Sequence, residues 1–394
     1  MFAPQILFII LLCTLIGCQS RPDVTQALAE PSARSDTFKV VTYNTLHGLE
    51  VSKLWVRSVE SDDERLARFT VRIDQLADIQ PDVILLQEVN PLPDMAHQYV
   101  RALKERGLDY TQVHQVDACG LRIAPGFAIV PGLNNGLAIL ARTPLQLRMI
   151  GSIKLSGSFG ACGDYAGFQL GELRYALLAE IIAPTMELPY LVATMHLHSG
   201  IERDARILHD LMEAHKEGLL HHYDHLMAAL TMDQQRREME LHALLDAIQQ
   251  EQLHQRYAGI IFGGDLNFEA GSPEYQELER AGFTDSARLA IGMPMWNTYD
   301  PAKNVLAAHE EQLLPPELID AIAEETASDR NEVLKLYRRA ITMARRIDFL
   351  FSTSFMPTAC LTQRIIGEPT RMRSAFGSDH YGLLNIYSYR RTAC

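Results

Sequence analysis

"GIIFGGDLNF", residues 259–268, is the stretch on which the fold turns. An apolar run enters two glycines and is followed by Asp265 and Asn267, two positions apart. A short apolar run ended by Gly-Gly reads as a buried strand whose end bares its backbone, where something must come close. A carboxylate and an amide on one side of such an end suggest a ligand. Asp, Asn and Gly also dominate ordinary turns for local reasons, so the stretch acquires meaning only beside others like it.

Others like it recur along the chain. "FKVVTYN" (38–44), "DVILLQE" (82–88), "GLAILAR" (136–142), "ALLAEII" (176–182), "YLVATMHL" (190–197), "RIDFLFS" (346–352) and "GLLNIYS" (382–388) are all short and rich in Val, Ile, Leu or aromatic residues. Helical periods lie between some of them. Ser61 and Glu64 form a capping box, after which Leu66, Phe69, Ile73 and Leu76 follow helical spacing, and a second helix is expected near 233–253. Strands outnumber helices and many are joined by short turns. The pattern therefore predicts an α/β fold of two packed sheets flanked by helices rather than a singly wound parallel sheet.

Composition is that of a soluble globular protein, 47% hydrophobic and 22% charged over 394 residues. The formal net charge of −13 repels polyanions, so nucleic-acid binding would need a local basic face and is not the favoured reading. At the N-terminus, an uncharged apolar run from Ile6 to Gly17 is too short to span a bilayer, which takes about 20 residues. It reads as a signal peptide over 1–17. Its end, Leu15-Ile16-Gly17-Cys18, resembles the lipobox of bacterial lipoproteins, in which the cysteine is lipidated. Residues 18–36 are polar and read as a tether, leaving one domain over 37–394. The chain is thus expected in the bacterial cell envelope, held by a lipid anchor at Cys18 and facing periplasm or exterior, as a monomer.

After cleavage and modification, Cys119, Cys162, Cys360 and Cys394 remain, and four cysteines allow three pairings. Cys119–Cys162 and Cys360–Cys394 are the expected pairs, the second pinning the C-terminus. Two stretches read as helical insertions, 201–232 and 301–346. In the first, Glu217, His221 and His225 recur at four-residue spacing, which would suit a metal but equally a solvated helix face, the reading adopted here. The second opens a helix at Pro315-Pro316-Glu317, and Arg338, Arg339, Arg345 and Arg346 read as a solvated helix end rather than a phosphate-backbone contact.

The strand ends hold the functional information: Asn44, Glu88, Asn135, His196 and His198, Asp265 and Asn267, Asp348, and Asp379-His380. Carboxylates, amides and imidazoles gathered there supply what metal-assisted hydrolysis of a phosphate ester requires. Oxygen ligands hold a hard Mg2+ while leaving room for water and a phosphate oxygen, and imidazoles move protons or stabilise developing charge. Asp348 and His380 form the natural carboxylate–imidazole pair.

In order, "TYNT", "LQEV", "NNGLAIL", "MHLH", "GGDLN", "RIDFLF" and "SDHYG" resemble the endonuclease/exonuclease/phosphatase superfamily over about residues 38–389. The resemblance implies a four-layer α/β sandwich of two mainly antiparallel sheets with the site where their strand ends meet. It implies Mg2+, with Mn2+ as alternative, held chiefly by Glu88 with Asn44 and Asp379 near it. Asp265 and Asn267 would orient water and phosphate, His380 held by Asp348 would be the general base, and His196 would stabilise the transition-state oxygen. Asn135 and His198 would contact substrate, with His196 and His198 on one strand face by alternation. The expected reaction is phosphodiester hydrolysis on a phospholipid head group, as in sphingomyelinase-like members. An envelope-tethered nuclease and a silent phosphate-binding module are the alternatives.

Overall fold

The computed structural model describes residues 37–388, except for short breaks at 52–55, 59, 120, 125–126, 158, 164–166, 171, 185–187 and 251–252, and longer ones at 129–133, most of 200–222, 290–295, 312–342, 354–362 and 368–374. These residues belong to the compact unit Asp36–Cys394. The signal peptide 1–17, Cys18, the tether 18–36, Glu217, His221, the Pro315 helix, Arg338, Arg339, Cys360 and Cys394 lie outside the described residues.

Two six-stranded sheets form the body. The first contains β1 (Thr37–Asn44), β2 (Val83–Gln87), β3 (Tyr110–Ala118), β4 (Asn135–Arg142), β11 (Gln363–Ile366) and β12 (Gly382–Ser388), in spatial order β11-β12-β1-β2-β4-β3. The second contains β5 (Gln146–Ser156), β6 (Arg174–Ile182), β7 (Tyr190–His196), β8 (Gly259–Asp265), β9 (Phe283–Asp285) and β10 (Asp348–Thr353), in order β9-β10-β8-β7-β6-β5. Each sheet is antiparallel except for one parallel pair, β1 with β2 and β7 with β8. Because paired parallel strands finish at the same edge, these two pairs bring four carboxyl ends together, those carrying Asn44, Glu88, His196 and Asp265.

Side-chain alternation explains the layering. Along β6 and β7, Leu177, Ala179, Ile181, Tyr190 and Val192 face the first sheet and join its core, whereas Ala176, Leu178, Leu191, Ala193 and Met195 face outward into a second core. Helices α1 (Asp62–Ile79) and α2 (Asp94–Lys104) cover the first sheet through Ile73, Leu76, Ala96, Tyr99 and Leu103. Helices α3 (Tyr223–Gln250) and α4 (Pro273–Arg280) cover the second through Leu241, Leu244, Ile248, Tyr275 and Leu278. The result is four layers, helix, sheet, sheet, helix, as the strand pattern and resemblance implied.

Two local expectations need correction. The capping box at Ser61 and Glu64 is present, but Leu66 is 61% exposed and the buried face of α1 carries Arg68 and Arg72 instead. Those guanidiniums satisfy the carbonyl of Thr45, which an apolar side chain could not do. The segment 343–347 is extended, not a helix end: Arg345 bridges to Tyr299, and buried Arg346 grips Asp285 with two 2.7 Å bonds. The expected Cys119–Cys162 disulfide is formed.

Candidate active site

Gly263 and Gly264 in the quoted stretch are dictated by close approach. A Cβ on Gly264 would stand 1.8 Å from the Met195 carbonyl oxygen of β7, and one on Gly263 would stand 2.6 Å from the Leu350 side chain. The bare backbone lets β7, β8 and β10 pair in tight register, so that His196 lies opposite Asp265 and Asp265 opposite Asp348. Glu88 and Asn267 both sit at positive φ, 55° and 51°, a conformation that strains residues other than glycine by about 1–3 kcal/mol and persists where surroundings enforce it. The enforcing contacts are visible. Asn267 donates its amide to the Leu197 carbonyl at 3.1 Å, and Glu88 accepts from the His47 backbone N–H at 2.9 Å.

Asn44 ties the sheets together. Its amide donates at 3.0 Å both to Glu88 Oε1 and to Asp265 Oδ2, from opposite sheets. His196 completes the group, Nδ1 3.9 Å from Glu88 Oε1 and Nε2 3.4 Å from Asp265 Oδ2. On the other side of Asp265, His380 Nε2 lies 3.7 Å from Oδ2, and His380 Nδ1 is 2.8 Å from Asp348 Oδ2. Asp379 is close as well, with Oδ2 3.9 Å from His380 Nε2. Asn135 opens β4 at the same rim, since its neighbour Gly136 pairs with Val89, and its side-chain oxygen is buried with no hydrogen-bond partner among the described residues.

His198 is not part of this group. The strand β7 ends at His196, so alternation no longer governs position 198. Both ring nitrogens of His198 are instead 2.9 Å from carboxylates, Nδ1 from Glu172 and Nε2 from Asp233 on α3. Thr194 settles the inward face: its hydroxyl accepts from Gln87 of the opposite sheet at 2.7 Å, so His196, two residues on, points the same way.

Burial dominates the electrostatics. Asp265 is pushed up to about 7 by burial, with Asp348 adding and His380 opposing. Burial would lower His380, but Asp348, Asp379 and Asp265 together hold it well above the ordinary imidazole value. His196 goes the other way, well below its usual value, through burial and then Arg174. Burial also raises Glu88, yet His47, His196 and the Asn44 amide outweigh it and hold the carboxyl below its usual value. Burial thus favours the neutral form of His196, and the surrounding carboxylates favour the charged form of His380.

Several residues of the site were not singled out from sequence. His47, three residues beyond Asn44, puts Nε2 3.7 Å from Glu88 Oε2. Asp117, raised by burial to about 7, senses Arg174 and Glu88, and Arg174 Nη1 reaches the His196 carbonyl at 3.4 Å. Thr298 accepts from the backbone N–H of Asp348 at 3.0 Å, and Asn304 donates to the carbonyls of Ser378 and Asp379 at 2.8 and 2.9 Å. Only His47 carried a signal, a histidine left over in "TYNTLHG"; Asp117 and Arg174 stand at strand ends and Thr298 and Asn304 in loops, and no periodicity encodes their proximity.

The donor set fits a hard divalent cation. Ligand atoms of Glu88, His196 and Asp265 lie within 4.8 Å of one another, as do those of Asp265, Asp348 and His380. The carboxylates of Glu88, Asp265, Asp348 and Asp379 all crowd this rim, oxygen donors of the kind a hard cation takes. A cation held there would offset that crowding and supply Lewis acidity toward a phosphate oxygen.

The family model for the endonuclease/exonuclease/phosphatase family matches residues 41–380. No curated protein matches the sequence significantly. Solved structures share the fold: TDP2 of D. rerio complexed with single-strand DNA product is 16% identical with TM-score 0.50, covering 90% of this chain and 100% of that one. Truncated TDP2 of Caenorhabditis elegans is 16% identical with TM-score 0.51, covering 89% and 98%. A family protein of Bacteroides thetaiotaomicron is 14% identical with TM-score 0.51, covering 90% and 98%. Sequence and fold agree: the chain belongs to the endonuclease/exonuclease/phosphatase family and is a metal-dependent phosphoric ester hydrolase.

Proposed function

We propose that this hydrolase is a Mg2+-dependent phosphodiesterase acting on a phospholipid head group, anchored at the cell envelope through a lipidated Cys18. The observation that carries the catalytic part is the junction at Asn44, where one amide joins Glu88 of one sheet to Asp265 of the other and places two imidazoles around the same carboxylate. Glu88, with Asn44 and Asp379 near it, would hold the cation, which supplies Lewis acidity toward a phosphate oxygen. Asp265 and Asn267 orient the attacking water, and His380, aligned by Asp348, takes its proton at Nε2. Neutral His196 donates a hydrogen bond to the oxygen on which charge develops. A second reading follows from the raised value of Asp265: this carboxylate accepts the proton, and His380 stays a fixed imidazolium that stabilises the transition state.

The lipid reading is supported by the apolar run ending at Cys18 and by the net charge of −13, which disfavours a polyanionic substrate. A tethered nuclease is the alternative substrate reading, favoured by the fold shared with a TDP2 complexed with single-strand DNA product. A silent phosphate-binding module would have no use for the buried Asp348–His380 pair. One panel tests all three. Protein lacking residues 1–18 is offered sphingomyelin, other phospholipids, phosphoinositides, DNA and RNA, each with Mg2+ and with chelator. Mg2+-dependent release of a phosphorylated head group is the expected result; turnover of nucleic acid alone overturns the lipid reading, and no turnover of any ester overturns the enzyme.

A further inference from the structure

Donors around the active-site rim are mostly engaged by the protein itself. Asn44 places its amide on Glu88 and Asp265, Asn267 donates to the Leu197 carbonyl, and His380 Nδ1 faces Asp348. With Glu88, Asp265, Asp348 and Asp379 beside them, a phosphate arriving here meets acceptors more than donors. His47 stands apart from that pattern. It occupies a turn written into the sequence: the Leu46 N–H donates to Asn44 Oδ1 at 3.1 Å, and Leu46 and Gly48 on either side of it hold positive φ, 55° and 68°. Thr45 Oγ1 donates to the Gln87 and Glu88 carbonyls at 2.9 and 3.1 Å, and Arg68 Nη2 donates to the Leu46 carbonyl at 3.3 Å, so the turn is held from both sides.

Within this turn the His47 backbone N–H donates to Glu88 Oε2 at 2.9 Å, and the ring approaches the same oxygen. Its Nδ1 accepts the Leu49 N–H at 2.9 Å, which requires a lone pair there and leaves the hydrogen on Nε2. That Nε2 lies 3.7 Å from Glu88 Oε2, beyond hydrogen-bond length, and has no closer partner among the described residues. The same tautomer argues against His47 as a metal ligand, since the nitrogen nearest Glu88 offers a hydrogen rather than a lone pair. The His47 side chain is 25% exposed, against 13% for Glu88 and 9% for His196, so it is the most open of the three to an incoming solute. We propose that His47 is a phosphate-binding residue, its Nε2–H donating to a non-bridging oxygen of the ester from the Oε2 side of Glu88, across that carboxylate from His196. The Leu49 N–H keeps this donor in place, and it acts on an oxygen that gains charge as the phosphoryl group is attacked. The proposal deepens the phosphodiesterase reading and rests on Glu88 as the cation ligand.

The test compares the full chain with His47→Ala, His47→Gln and His47→Asn. Titration calorimetry is run with Mg2+ alone and then with inorganic phosphate at saturating Mg2+, beside hydrolysis of soluble bis(p-nitrophenyl) phosphate. His47→Ala is expected to bind Mg2+ as the parent does, to weaken phosphate by about tenfold and to lower kcat/KM by about 10- to 100-fold. The two amides separate the donor from the turn. Gln carries its amide hydrogens to the reach of Nε2 and is expected to recover most of the loss. Asn keeps an acceptor for the Leu49 N–H but stops at the reach of Nδ1, so it is expected to behave as Ala does. A role confined to shaping the turn predicts the reverse order, Asn above Gln, and that result overturns the proposal. Parental phosphate affinity and kcat/KM in His47→Ala overturn it too, as does a loss traced to weaker Mg2+ binding with phosphate affinity intact. If the parent binds no Mg2+, the cation assignment falls and the proposal with it; phosphate binding that depends on His47, without hydrolysis of any ester, supports the proposal and sinks the enzyme reading instead.

Discussion

Asp348→Asn probes the proton chemistry with the least disturbance of shape. Asp348 is buried, its Oδ2 2.8 Å from His380 Nδ1, and its Oδ1 has no hydrogen-bond partner among the described residues, so an amide fits the space. What is lost is the nearest negative charge that holds His380 high; Asp265 and Asp379, at 3.7 and 3.9 Å from Nε2, remain. An opposite charge in such contact favours the charged ring, so removing it should lower the His380 pKa. Turnover should drop about 10²–10⁴-fold, because the amide no longer fixes the ring's tautomer and orientation. The assay is hydrolysis of a soluble phosphodiester from about pH 5 to 9 at saturating Mg2+. If His380 is the base, activity requires its neutral form, and the acidic limb moves to lower pH in the variant. If His380 is a fixed imidazolium, activity requires its charged form, and the basic limb moves to lower pH instead. Combined with His380→Ala, the double variant should be little worse than His380→Ala alone, since the two act as one unit. Wild-type turnover with neither limb moved would refute a role for the pair in moving or holding a proton.

Further outcomes follow from the same geometry. Glu88→Gln keeps the side chain's outline and removes the charge that attracts a hard cation, so activity in limiting Mg2+ should fall by orders of magnitude with partial recovery at high Mg2+; wild-type rates in limiting metal would place the cation elsewhere. Asp265 and His380 are both raised in the metal-free fold, so their contribution to stability is present at low pH and lost as pH rises toward and past about 7. The thermal midpoint of chelator-treated protein should accordingly decline between about pH 5 and 8, while Mg2+-loaded protein should decline less; parallel curves would deny the coupling. A cation beside Glu88 also sits close to Asp265 and would favour its ionised form, so titration calorimetry in buffers of different ionisation enthalpy should register proton release below pH 7 and little above about pH 8. Cys18→Ser should free the protein from the membrane fraction of expressing cells, and retention after washing would show that the anchor is not at Cys18.

What the sequence disclosed and what it withheld divide along a physical line. Strand existence, strand ends and the polar residues on them were legible because each is local: "GIIFGGDLNF" announces a strand, a close backbone approach and two polar groups within ten residues. Alternation then carried Thr194 and His196 to the inner face, where Gln87 and Asp265 meet them. The same rule failed for His198 because the strand had already ended, and past that point partners at Glu172 and Asp233 decide the side chain's direction. Helical spacing placed Ile73 and Leu76 correctly but misplaced Leu66, and Arg68 and Arg72 are buried beside them, donating to the Thr45 carbonyl. Asp117 and Arg174, at strand ends, and Thr298 and Asn304, in loops, were invisible because each works across a gap in sequence that only the closed sandwich removes. Periodicity therefore locates the groups that the reaction uses, and tertiary closure alone supplies the neighbours that set their charge.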